Sequence, residues 1–257
     1  MTQWASWKQA IVSLAMLVSF SLFGQQNAQT PPEVVQAQFI GNETCIDCHQ
    51  VEVEAWQGSH HDMAMRHADS ESVLGNFDNQ AVEHQGKANR FFRKGDEYWV
   101  NIQGPDGQWH DYKISYTFGW VPLQQYMVEF DDGRIQLIPF AWDSRSVEQG
   151  GQRWFHLYPD TTTTDEFYWA NTGQNWNFMC ADCHSTNLKK NYDAQSNTYQ
   201  TTWSEINVSC EACHGPASLH VEMAKQAKQN GMPIPTANHY AFSRDLAAAC
   251  KELVDKE

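Results

Sequence analysis

Cys45-Ile46-Asp47-Cys48-His49, Cys180-Ala181-Asp182-Cys183-His184 and Cys210-Glu211-Ala212-Cys213-His214 share one spacing: two cysteines, two residues apart, followed at once by a histidine. Thiols in that frame can add to the two vinyl groups on one edge of a porphyrin. The next side chain then falls beneath the ring, where an imidazole nitrogen binds iron. The pattern is that of c-type haem attachment. It predicts three covalently held haem c groups, with His49, His184 and His214 as proximal iron ligands. Paired cysteines also serve disulfides in exported chains, zinc sites, for which the second and third pairs are acceptably spaced, and thioredoxin-like redox chemistry. None of these calls for a histidine after every pair. With 11 His in 257 residues, three such coincidences arise by chance roughly once in ten thousand.

A six-coordinate haem iron needs a second axial ligand, usually His or Met. His60 and His61 follow the first frame, in a stretch (residues 50–67) whose pattern predicts a helix with Glu52, Glu54 and Arg66 on its wet side. Neighbouring positions on a helix point to different sides, so the pair reaches two haems, or one of them faces solvent. His220 is the stronger candidate. Pro216 opens a run of good helix formers directly after the third frame. Only six positions separate His214 from His220, roughly 9 Å along a helix, a strained reach across both faces of one porphyrin. His220 is therefore expected to serve a neighbouring haem, with an ordinary solvated helix histidine as the alternative. His84, His110 and His156 fall in or beside strand-like segments and read as ordinary surface or core residues.

The elements that position these groups show in the intervening sequence. Residues 86–160 hold aromatic and β-branched runs with rough alternation, broken by Lys94-Gly95-Asp96, Gly104-Pro105-Asp106-Gly107 and Asp131-Asp132-Gly133, which is hairpin patterning. The fold expected is α+β: loops and short helices around haems, with a small antiparallel β module inserted. The expected divisions are 38–85 (first haem segment), 86–160 (β module), 161–250 (second and third haem segment) and 251–257 (tail). Trp56, Trp169, Trp176 and Trp203 lie near the frames and pack either on haem faces or in an ordinary core.

Composition bounds the partners. Lys plus Arg is 17 against 31 Asp plus Glu, a formal charge of −14, which argues against a nucleic-acid binder. A hydrophobic content of 41% permits a packed core. At the amino terminus, Lys8 precedes the apolar stretch Ala10–Phe23 and the polar Gly24–Thr30, the order of a secretory signal peptide. Residues 1–28 are expected to be that signal, with an uncleaved membrane anchor as the alternative. Either way the body is exported, to the periplasm or beyond. The seventh cysteine, Cys250, is not followed by a second Cys and His; those positions hold Leu253 and Val254. It reads as the start of a fourth frame that the chain does not complete, or as a single thiol.

Trp56-x-Gly58-Ser59-His60-His61, Cys180-Ala181-Asp182-Cys183-His184-Ser185-Thr186-Asn187 and Cys210-Glu211-Ala212-Cys213-His214-Gly215-Pro216-x-Ser218-x-His220 resemble multihaem cytochromes of the cytochrome c-554 and c-prime type. Phe118–Tyr126 and Trp154–Pro159 resemble the version whose long members carry tetratricopeptide repeats. The resemblance implies periplasmic electron transfer between redox proteins through closely packed haems, mostly with His on both sides of iron. It places His220 at a position that ligates another haem and His60/His61 in a distal-ligand region. Members usually carry a fourth haem motif near residue 250, so a fourth haem is expected only in a longer chain. The competing function is a haem enzyme reducing a small nitrogen or sulfur oxyanion at one open-site haem, with Arg66, His67 or Tyr168 as proton donors. A haem-based sensing module is a third possibility, and the sequence shows no fused signalling domain to support it.

Overall fold

The computed structural model describes residues 36–235 and 241–242. The expected signal peptide or anchor (1–28), His239, Cys250 and the 251–257 tail lie outside the described residues. The described residues from Ala37 onward form one compact unit. No helix among the described residues is long and apolar enough to cross a membrane.

The main body is an antiparallel sheet of eight strands: β1 (Met65–His67), β2 (Gln80–His84), β3 (Lys87–Lys94), β4 (Glu97–Gln103), β5 (Trp109–Phe118), β6 (Leu123–Glu129), β7 (Ile135–Asp143) and β8 (Arg153–His156). Strands β2 to β8 pair in sequence order, and β1 joins the end of β5, Met65 opposite Phe118. The hairpins follow from local sequence. Gln85 and Gly86, both at positive φ (50° and 73°), close the two-residue loop between His84 and Lys87. Gly95 (φ 62°) closes the loop between Lys94 and Glu97. Such turns match the twist of paired strands. Along β4, buried Tyr98, Val100 and Ile102 alternate with more open neighbours, the period-2 pattern of a half-buried strand.

Each face of the sheet carries a buried cluster. One carries an aromatic core of Phe77, Phe91, Tyr98, Tyr126, Phe140, Trp142 and Trp169 with Val100, Ile102, Ile114, Val128 and Ile138. Phe77 meets Phe91, Tyr98, Tyr126 and Trp154 edge to face, and Trp154 stacks on Phe91 at 3.8 Å. The edge strands β2 and β8 come together where His84 stacks on His156 at 3.9 Å. The second face packs Met65, Tyr116, Met127, Ile135 and Leu137 against Trp176, Ala181 and Cys180. The second haem frame is thus seated directly on the sheet.

Helices are short and peripheral: α1 (Glu43–Ile46), α2 (Gln50–Trp56), α3 (Trp176–Met179), α4 (Ala181–His184), α5 (Cys210–His214) and α6 (Ser218–Gln229), with a small β9–β10 hairpin (Tyr192–Asp193, Thr198–Tyr199) between α4 and α5. Two expectations are corrected. The sheet is the dominant element rather than a small module, and it recruits β1 and β2 from before residue 86. The helix expected over 50–67 stops at Trp56. Gln57 turns to extended backbone (ψ 130°), and Gly58 takes φ 71°, so the chain leaves the helical path before His60.

The haem-frame segment after α4 docks on the β6–β7 turn. Gly133 (φ 78°) is needed there: a Cβ would collide with the Tyr199 carbonyl. Tyr199 N–H donates to the Asp132 carbonyl at 2.9 Å. Asn177 Oδ1 accepts from Ile135 N–H at 2.7 Å, fixing α3 to β7.

Candidate haem sites

Each frame folds as about one helical turn. Cys48 N–H donates to the Cys45 carbonyl (3.2 Å), and Cys183 N–H to that of Cys180 (3.1 Å). The third frame is α5 itself. Residues three apart on such a turn share a face, with Cβ atoms about 5–6 Å apart. All six cysteines are free thiols, the first of each pair partly buried and the second exposed. Among the described residues no group of three or more His, Cys, Asp or Glu converges as a metal cage. Three accessible dithiol turns, each ending in an imidazole, fit covalent porphyrin attachment.

The first and third frames lie side by side. Cys210 N–H donates to Asn42 Oδ1 at 3.2 Å, and the Cys45 and Cys210 thiols are close enough to act on each other. That contact, then burial, then the carboxylates of Glu211 and Glu205 push the Cys45 thiol up. The same contact draws the Cys210 thiol down to about 7.

Helix α6 leaves the third frame through Gly215 (φ 85°) and brings His220 over to the first frame. The His49 and His220 rings are 6.2 Å apart between centroids, tilted by 32°. Two imidazoles on one metal, each bonded through nitrogen at about 2 Å, have centroids roughly 6 Å apart. At that spacing the two imidazoles would hold an iron between them. His214 stands close by: burial, then the charges of His49 and His220, lower its pKa. Phe242 touches both His214 (5.4 Å) and His220 (4.4 Å).

His184 of the second frame packs on Phe118 of β5 at 4.2 Å. Its Nδ1 is buried and has no hydrogen-bond partner. Burial lowers its pKa, favouring the neutral imidazole that binds metal. Trp176 is fully buried beside this frame, its ring set edge to face with Trp203 at 5.7 Å. Of the tryptophans near the frames, Trp176 and Trp169 are core residues, and Trp56 donates to the Val208 carbonyl at 2.9 Å.

His60 and His61 lie in an exposed turn, not on two sides of a helix. Among the described residues the imidazole ring contact to a frame histidine from outside the frames is made by His220 and not by His60 or His61. The turn is nevertheless stitched to the approach of the third frame. Val208 N–H donates to the His61 carbonyl at 3.2 Å, and Asn207 Nδ2 donates to the carbonyl and the Oδ1 of Asp62, both at 2.9 Å. Arg66, His67 and Tyr168 do not converge. Arg66 pairs with Asp62 (3.4 Å), His67 rests on Tyr116 (5.3 Å), and the Tyr168 hydroxyl turns to the Gln103 carbonyl (3.3 Å).

Sequence reasoning missed Glu211, Asp62, Asn207 and Phe118. Glu211 occupies the same place in its frame as Ile46 and Ala181 in theirs. It is 2% exposed, where Ile46 is 43% exposed. A charged residue at a position held elsewhere by apolar ones was the only available signal.

The family model for cytochrome c554 and c-prime matches residues 44–91 and 160–215. The unmatched stretch between them carries β4 to β8. No curated protein matches the chain. Among solved structures, the chain is similar to the outer cell wall cytochrome OcwA, at 18% identity and TM-score 0.46 over 78% of this chain and 35% of that one. It is also similar to the undecahaem cytochrome from the S-layer of Carboxydothermus ferrireducens, at 21% identity and TM-score 0.43 over 74% and 23%. It spans about a third and about a quarter of those two proteins. All three frames fall inside the matched segments, and it is over these segments that the chain is similar to the cytochrome c554 and c-prime family.

Proposed function

We propose that the chain is an exported electron carrier holding three haem c groups, and that electrons pass through it between redox proteins. Cys45/Cys48, Cys180/Cys183 and Cys210/Cys213 hold the porphyrins, and His49, His184 and His214 bind iron on the proximal side. His220 completes the haem of the first frame. The His60–His61 turn, tied to Val208 and Asn207 beside the third frame, supplies the candidate distal ligands there. When bound, each haem supplies a one-electron couple whose potential is set by axial ligands, burial and hydrogen bonding.

The observation that carries this reading is the 6.2 Å spacing of His49 and His220. An iron closed on both sides by imidazole exchanges electrons without binding substrate. The contact also links two frames, because His220 belongs to the helix that follows the third and reaches the haem of the first. The adjoining Cys45 and Cys210 side chains bring the two porphyrin attachments together, as hopping between haem edges requires. The acidic chain (−14) favours encounter with partners that present basic surfaces. The sheet unit between the haem-bearing segments is the platform: Phe118 backs His184, and Ile135 and Leu137 back the second frame.

The test is production in a host that attaches haem c, followed by a pyridine haemochrome count and a potentiometric titration. Three haems and reversible one-electron waves are expected. Turnover of nitrite or hydroxylamine by the reduced protein would favour the enzyme alternative instead. Absence of covalent haem would return the cysteines to disulfide or zinc chemistry.

A further inference from the structure

Glu211 presents a carboxylate in the interior, 2% exposed, and it touches three segments at once. Its Oε1 accepts from Ile40 N–H (3.1 Å) and Ala217 N–H (2.8 Å); its Oε2 accepts from Ile40 N–H (3.0 Å) and Gly41 N–H (2.9 Å). Ile40 and Gly41 lead into α1, which carries Cys45. Ala217 is the residue that opens α6, which carries His220. Glu211 itself follows Cys210. One side chain therefore fixes the first attachment site, the third attachment site and the helix that supplies His220. Two further bonds brace the same junction: Gln38 N–H donates to Ser218 Oγ (2.8 Å), and Ser218 N–H donates to the Gln38 carbonyl (3.2 Å).

All the donors to Glu211 in this arrangement are backbone N–H groups. A fixed negative charge in a poorly solvated site acts over longer distances than one in water. It acts on both neighbouring attachment points: the Glu211 charge bears on the thiols of both Cys45 and Cys210. A ferric haem carries one more positive charge than a ferrous one, so an anion held here stabilises the oxidised state of each.

We propose that Glu211 is a charged positioning residue that holds the His49–His220 pair in register and lowers the reduction potentials of the haems on the first and third frames, leaving the second frame's haem little affected. This rests on the haem reading of the three frames.

The test uses the full haem-loaded chain and two substitutions that separate charge from reach. Glu211→Gln removes the charge and keeps the length; Glu211→Asp keeps the charge and shortens it. The haem count of the unsubstituted protein comes first: if it carries no covalent haem, the underlying reading fails, whatever Glu211 does. With haem present, Glu211→Gln is expected to raise two of the three midpoints. The change is about tenfold in the oxidised-to-reduced ratio, ~59 mV for a one-electron couple. Glu211→Asp is expected to leave the midpoints near their original values while altering the low-spin resonance of one haem. A haem-loaded Glu211→Gln protein with unchanged midpoints, or with all three raised alike, would overturn the proposal. If Glu211→Gln does not load haem, Glu211→Asp decides: unchanged midpoints with a full haem complement support the proposal, and raised midpoints overturn it. Failure of both variants to load haem would assign Glu211 to folding alone and overturn the redox role.

Discussion

Asn207 binds Asp62 twice, its Nδ2 donating to the Asp62 carbonyl and to Oδ1, each at 2.9 Å. The two residues are 145 positions apart, and both are buried. Through this contact the turn bearing His60 and His61 is held against the approach to the third haem frame. Asp62 also accepts from Gly58 N–H at 2.8 Å, which shapes the turn itself.

Replacing Asn207 by Ala leaves buried acceptors on Asp62 without their donor. The expected cost is about 1–3 kcal/mol, read as a lower denaturation midpoint at unchanged haem count. If the His60–His61 turn supplies a distal ligand to the third frame, the same variant broadens or shifts one low-spin resonance and leaves the others in place.

Gly133→Ala tests how the haem-bearing segments are seated on the sheet. The position has φ 78° and faces the Tyr199 carbonyl. A methyl group there strains the backbone and pushes the β9–β10 hairpin away from Asp132. The expected loss is on the order of 1–3 kcal/mol. Proteolysis should cut the segment around residues 190–200 earlier than in the unsubstituted protein.

His156 gives a pH signature to the sheet. Burial, then the neighbouring His84, lower its pKa to about 4, against an unfolded value of about 6.5. Between these values the unfolded chain binds a proton that the folded chain refuses. This group therefore destabilises the fold progressively as pH falls from about 6.5 to about 4, and its effect is absent above that window. In His156→Gln the dependence of the melting temperature on pH should be shallower across that interval. An identical slope in both proteins would rule out His156 as a contributor.

Much of the chemistry was legible because it is local. The three cysteine frames are complete within five residues each, and the hairpins announce themselves through glycine-containing turns and alternating strands. What joins them was not legible. The contact of Asn207 with Asp62, and of Glu211 with Ile40 and Gly41, spans 145 and about 170 positions, and no local pattern encodes a partner so distant. The helix over 50–67 was misread because its apolar spacing continues through Gly58, whose φ of 71° breaks the path. The sheet was underestimated because β1 is three residues long and β2 carries little apolar alternation. His220 was singled out as a candidate for another frame's haem, on the ground that six residues are too few to span both faces of one porphyrin, and its ring lies 6.2 Å from that of His49. Its partner, His49, became visible only in three dimensions.

The central claim is that His49 and His220 bind the same iron, and low-temperature electron paramagnetic resonance of the oxidised protein tests it most directly. In the haem-loaded protein the first-frame haem should be low-spin. In His220→Ala exactly one haem equivalent should convert to a high-spin signal, with the haem count unchanged and imidazole restoring the low-spin form. A His220→Ala spectrum identical to that of the unsubstituted protein would contradict the claim, because the distal ligand of that iron would then come from elsewhere.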